Sequence, residues 1–155
     1  VINPTEDDLV EIVLESYDSF KKLLNEEPKI ALLSYSTLDD IKDENVIKLQ
    51  NVVRRVKEIN NNINIDGQLQ LDAAIIEDVA KIKAPNSSVA GKANVLIFPN
   101  LESGNIAYKI AERFGNMTAL GPITQGMDKP VNDLSRGCSV DDIVGVIAIT
   151  CIQSM

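Results

Sequence analysis

The sequence predicts an α/β fold, a three-layer αβα arrangement in which helices cover both faces of a mainly parallel sheet. Three observations carry this. Short, continuously apolar runs at Lys29–Ser34 and Asn94–Pro99 read as strands buried on both sides. Longer stretches between such runs carry apolar residues at helical spacing. The two kinds of segment alternate along the chain, as parallel strands joined by crossover helices require.

Taken in order, Thr5 reads as a helix N-cap, with Glu6, Asp7 and Asp8 in the first turn, where the helix dipole favours negative charge. Leu9, Val13, Tyr17, Phe20 and Leu24 form its apolar stripe, and Pro28 ends the segment. The strand Lys29–Ser34 follows. Ser34, Ser36 and Thr37 lie near its carboxyl end, where open α/β sheets collect ligands, although a turn role suits them equally. A second helix spans about Asp43–Ile59, burying Val46, Leu49, Val53 and Val56, and stops at Asn60–Asn62. Ile63–Gly67 reads as a short strand into a turn, and Gln68–Lys83 as partly helical. Pro85–Ser88 is a loop, and Lys83 and Lys92 bracket the Gly-bearing segment Val89–Gly91. Leu101–Phe114 is predicted as a helix with Ile106, Ile110 and Phe114 inward, and Met117–Leu120 as another strand. Gly121–Gly126 forms a Gly-flanked loop that lets a ligand approach the backbone closely. Val131–Leu134 reads as a short extended segment before the last helix.

Composition bounds the function. The chain is 45% apolar and 25% charged over 155 residues, enough for one packed globular domain. A net charge of −8 argues against binding nucleic acid or an anionic membrane surface. No apolar run reaches the length of a membrane-spanning helix, and no signal peptide is visible. There is no histidine, so no histidine-based triad or metal site can form, and Cys138 and Cys151 do not make a metal-binding spacing. No metal is therefore expected. Two cysteines without a richer framework suit a reducing cytoplasm. A first residue that is Val rather than Met suggests a processed product or a fragment.

The chemistry concentrates in Pro130–Gly145. Ser139 reads as the N-cap of an apolar helix, with Asp141 and Asp142 in its first turn. A helix start offers unpaired N–H groups and a partial positive charge, and Ser135 and Arg136 just before it would complete a cradle for an anion such as phosphate. The same residues also fit a capping box, Ser139-x-x-Asp142, with Arg136 paired to Asp133 at the surface. Residue types leave both readings open.

Five blocks, however, carry a resemblance: Ile65–Ala74, Val89–Pro99, Gly104–Ala111, Gly121–Gly126 and Pro130–Ser139. In this order they closely resemble the phosphate acetyltransferases (phosphotransacetylases) over essentially the whole chain. Gln68 stands where that family usually has Glu, and Ser88 where it often has Pro. The resemblance implies the isocitrate/isopropylmalate dehydrogenase-like fold. It implies that residues 1–121 form most of a second α/β domain and that residues 122–155 return to a first domain. The N-terminal remainder of that first domain lies outside this chain. It also implies reversible acetyl transfer between coenzyme A and inorganic phosphate, giving acetyl phosphate, directly and without an acetyl-enzyme. Coenzyme A would be a substrate rather than a tightly bound cofactor, and the assembly a homodimer. By the same resemblance Asp142 matches the general base for the coenzyme A thiol, Arg136 the arginine on acetyl or phosphate oxygens, and Ser135 the serine that steadies the transition state. Lys83, Gly121, Pro122, Thr124 and Gln125 are candidates for coenzyme A contacts, and Cys138 is a less favoured acyl carrier. Phosphate butyryltransferase shares the fold and is the alternative enzyme; a non-catalytic regulatory domain is the alternative class.

Overall fold

A computed structural model describes all residues, Val1–Met155. Three parallel strands, β1 (Lys29–Leu33), β2 (Asn64–Leu69) and β3 (Val95–Ile97), form one sheet in the order β2-β1-β3. The helices are α1 (Glu6–Leu24), α2 (Glu44–Ile59), α3 (Leu71–Ile75), α4 (Glu77–Lys83), α5 (Leu101–Arg113) and α6 (Val140–Gln153).

Alternation along β1 divides the core into two layers. Ile30 and Leu32 point to one face, where α1 (Leu9, Val10, Val13) and α2 (Leu49, Val52, Val53, Val56) cover them together with Ile65 and Ile97. Ala31 and Leu33 point to the other, against Leu69, Ala74, Ala80, Ala84, Val89 and Ala90. The second layer is built largely from alanine, so α3 and α4 approach the sheet closely. Gly91 sits in the same crowded place: it has a φ of +74°, and a Cβ there would lie 2.8 Å from the Glu77 Cα. Arg55 of α2 reaches both Glu6 (3.0 Å) and Asp7 (2.6 Å) at the start of α1, tying the two outer helices together. The expected αβα layering is present.

Several expectations need correction. Gly67 and Gln68 belong to β2 rather than to a turn and a helix. Glycine is required at 67 because a Cβ there would lie 2.6 Å from the Leu32 Cβ on the adjacent strand. Gln68 is fully buried, yet its amide is satisfied on both sides: it donates to the Asp39 carbonyl (2.9 Å) and accepts from Gln50 (3.1 Å). The helical stretch 71–83 is two helices broken at Ile76, whose backbone is extended. Met117–Leu120 and Val131–Leu134 are not strands, because no strand of the sheet lies beside them. Ile106, Ile110 and Phe114 face outward, exposed by 53%, 53% and 89%, and α5 buries no residue fully. Amphipathic spacing identified a face of this helix, but that face is not turned to the core. Leu24, assigned to the α1 stripe, is also exposed.

Candidate active site at the entry to α6

Ser139 opens α6 as anticipated. Its Oγ accepts a hydrogen bond from the Asp142 N–H (3.2 Å), and Asp142 Oδ2 accepts one from the Ser139 N–H (2.7 Å). The capping box is complete. The backbone bond from Ser139, then its hydroxyl, and more weakly the charge of Arg113 hold the Asp142 carboxyl below the usual carboxylate range. The half-buried Asp142 is thus firmly ionised and placed. Arg113, at the end of α5, was not singled out in the sequence. Its signal is only spatial.

Ser135 and Arg136 precede the helix in a tight turn, closed by a bond from the Cys138 N–H to the Ser135 carbonyl (3.0 Å), with Ser135 Oγ accepting from the Gly137 N–H (3.4 Å). Both side chains are exposed. Arg136 is not paired with Asp133, whose carboxylate instead accepts from the Leu134 N–H (2.8 Å). The guanidinium is therefore available to an anion. Gly137 has nothing within 4 Å of a would-be Cβ, so its turn is open to solvent.

The remaining candidates lie elsewhere. The segment Leu120–Gln125 runs beside α6: Leu120 packs at Gly145, and Gln153 Nε2 donates to the Thr124 carbonyl (3.2 Å). Asn132 is the clasp, a residue inside a recognised block whose role the sequence did not reveal. Its Oδ1 accepts from the Thr124 N–H (2.8 Å) while its amide donates to Thr150 (2.8 Å) and Gln153 (2.7 Å). Thr124 and Gln125 consequently sit at the far end of α6, about 16 Å from Asp142 at 1.5 Å per helical residue. Gln125 accepts from Ser16 of α1 (3.1 Å), and Thr124 and Gln125 border a polar groove of about 390 Å³. Gly121 and Pro122 border a different cavity, an apolar one of about 720 Å³ shared with Phe98, Leu101 and Tyr108. Lys83 is engaged at the end of β2, donating to Asp72 (2.8 Å) and Gln70 (2.9 Å), and it lowers the Asp72 pKa. Cys138 and Cys151 are free thiols.

Comparison with known proteins fixes the context of this helix entry. The family model described as "Phosphate acetyl/butaryl transferase" matches residues 1–151. The chain belongs to this family. It is 53% identical over 152 residues to the phosphate acetyltransferase of Clostridium acetobutylicum, covering 98% of this chain and 46% of that protein. It is 50% identical over 152 residues to that of Escherichia coli K12, of which it covers 21%. Among solved structures, a phosphotransacetylase from Streptococcus pyogenes superposes with a TM-score of 0.92 at 46% identity, covering 99% of this chain and 46% of that one. A branched-chain phosphotransacylase from Enterococcus faecalis superposes at 0.82 with 27% identity, covering 99% of this chain and 55% of that one. The chain thus spans about half the length of the first curated phosphate acetyltransferases it matches. No helix is long and apolar enough to cross a membrane.

Proposed function

We propose that this chain is the C-terminal portion of a phosphate acetyltransferase that moves an acetyl group reversibly between coenzyme A and inorganic phosphate. The observation that carries the reading is a family match over 151 residues, with Ser135 and Arg136 in the turn just before α6 and Asp142 in its first turn. In the direction of acetyl-coenzyme A synthesis, the coenzyme A sulfur attacks the carbonyl carbon of acetyl phosphate. Asp142 accepts the thiol proton at Oδ1, since Oδ2 is held by Ser139. A carboxylate this acidic is a poor base for a thiol of pKa about 8.5, so proton transfer accompanies C–S bond formation rather than preceding it. Arg136 holds the departing phosphate and the carbonyl oxygen as charge gathers there, and Ser135 donates to the same centre.

The apolar cavity beside Gly121 and Pro122 suits a nonpolar arm of coenzyme A, and Thr124 and Gln125 suit a polar portion. For Lys83 to contact coenzyme A it must exchange Asp72 for a phosphate. Residues 1–121 act as one α/β domain and residues 122–155 join a domain completed by preceding sequence. The apolar residues left exposed on α6 (Val140, Val144, Ile147) support that division. The outward row Ile106, Ile110 and Phe114 on α5 supports a homodimer. The two free thiols suit the cytoplasm. The acetyl over the butyryl or branched-chain reading is favoured by identities of 53% against 27%.

Thiol release from acetyl-coenzyme A by the full-length protein, with and without phosphate, tests the proposal. Phosphate-dependent release is expected, faster than with butyryl-coenzyme A, while the 155-residue chain alone is nearly inactive. Release that ignores phosphate would overturn it.

A further inference from the structure

A second cavity has no part in the site above. After β1 the chain passes through α2 to β2 on one side, then crosses back to β3 on the other. The carboxyl ends of β1 and β3 are therefore where successive crossovers diverge, the place at which open parallel sheets leave a ligand crevice. A cavity of about 620 Å³ lies there, lined by Ser34 and Tyr35 after β1 and by Phe98 after β3. None of Lys83, Gly121, Pro122, Thr124, Gln125, Ser135, Arg136 or Asp142 lines it.

Its chemistry is specific. Lys48 of α2 is the only charged residue in the lining, in a chain of net charge −8. Its ammonium donates to the Pro4 carbonyl (3.1 Å), which leaves two N–H groups for an anion. Tyr35 and Phe98 supply aromatic surface. Asn3, Asn45 and Ser34 supply neutral polar groups; the Ser34 backbone N–H is already taken by Leu69, but its hydroxyl remains at the wall. One cation, no acid, two aromatic rings and three amides, of which Asn100 also caps α5, match a ligand with a single phosphate and a planar, hydrogen-bonding ring.

We infer that the cavity between the ends of β1 and β3 binds a nucleoside monophosphate or an equivalent phosphorylated heterocycle, apart from the acyl-transfer site. Calorimetric titration of the full-length protein with adenosine 5′-monophosphate tests this, with adenosine and inorganic phosphate as separate arms. Saturable binding of the monophosphate is expected, tighter than either part alone. Lys48→Met, which keeps the aliphatic stem, should weaken it about tenfold, while Lys57→Met on the same helix leaves it unchanged. Should Lys48→Met fail to fold, Asn45→Ala serves instead, because the helix cap there uses the backbone and Asp43 rather than the Asn45 side chain. Coenzyme A serves as competitor: no displacement is expected, and displacement would assign the cavity to the nucleotide end of the acyl-transfer substrate and overturn the inference. Absence of saturable binding, adenosine binding as tightly as its monophosphate, or binding indifferent to both Lys48→Met and Asn45→Ala would overturn the inference.

Discussion

Asp142→Asn separates the capping duty of this carboxylate from the proton-accepting role proposed for it. As a capping residue, Asp142 uses Oδ2 to accept the Ser139 N–H at 2.7 Å, and an asparagine carbonyl can accept the same bond. The reciprocal bond, from the 142 N–H to Ser139 Oγ, involves no side-chain atom of residue 142. The cap should therefore survive, and the melting temperature should move by no more than about 2 °C. As a base, however, an amide cannot take a thiol proton. Loss of a positioned general base lowers kcat by about 10² to 10⁴, with KM for coenzyme A little changed. The assay is phosphate-dependent thiol release at saturating acetyl-coenzyme A, run beside a thermal melt of the same preparation. Ser139→Ala is the converse variant: it removes the hydroxyl half of the box, costs about 1 kcal/mol of stability, and spares the carboxylate. If Asp142→Asn kept its kcat, or lost activity only in step with its folded fraction, the catalytic assignment would be refuted and the residue would be a cap alone.

Other outcomes follow from the same geometry. Arg136→Ala should raise the KM for phosphate about tenfold without lowering the melting temperature, since the side chain is exposed and unpaired; equal kinetics would remove it from the site. Gly67→Ala drives a Cβ to 2.6 Å from the Leu32 Cβ and 3.0 Å from its carbonyl oxygen, and should cost about 3 kcal/mol in a urea melt, whereas Gly137→Ala, with open space around it, should stay within about 0.5 kcal/mol. Acid titration followed by circular dichroism should show a loss of stability at low pH. Asp8, Asp72 and Asp142 have native pKa values below their unfolded ones, so their contributions are complete above pH of about 4 and are lost as pH falls through the native values. A stability profile flat from pH 5 to pH 2 would contradict those shifts.

What the sequence revealed was local. Thr5 and Ser139 are legible as caps because a cap is decided by residues three apart, and both capping boxes form. The apolar runs at β1 and β3 are legible because burial on both faces leaves no polar alternation to misread. Gln68 was not legible, because a buried amide in a strand depends on Gln50 and Asp39, 18 and 29 residues away. The direction of α5 was misread for a related reason. Periodicity defines an apolar stripe but not which surface will meet it. Met117–Leu120 failed as a strand because a strand is a property of a pair, and nothing in its own residues tells whether a partner exists. At the site, the grouping of Ser135, Arg136 and Asp142 was visible as proximity along the chain, but the distance separating Thr124 from Asp142 was not, since the loop returns along α6 through Asn132.

The poor anchoring of α6 has a consequence for how the molecule breathes. It is a strongly apolar helix, yet only Val146 is buried, while the core helices α1 and α2 are held by the sheet and by Arg55. Amides of β1 should exchange with deuterium only on global opening, whereas those of α6 should exchange through a smaller, more frequent event that leaves the sheet intact. Whatever seats against the apolar residues of α6 also fixes the turn at Ser135 and Arg136, so assembly and catalytic competence would rise together.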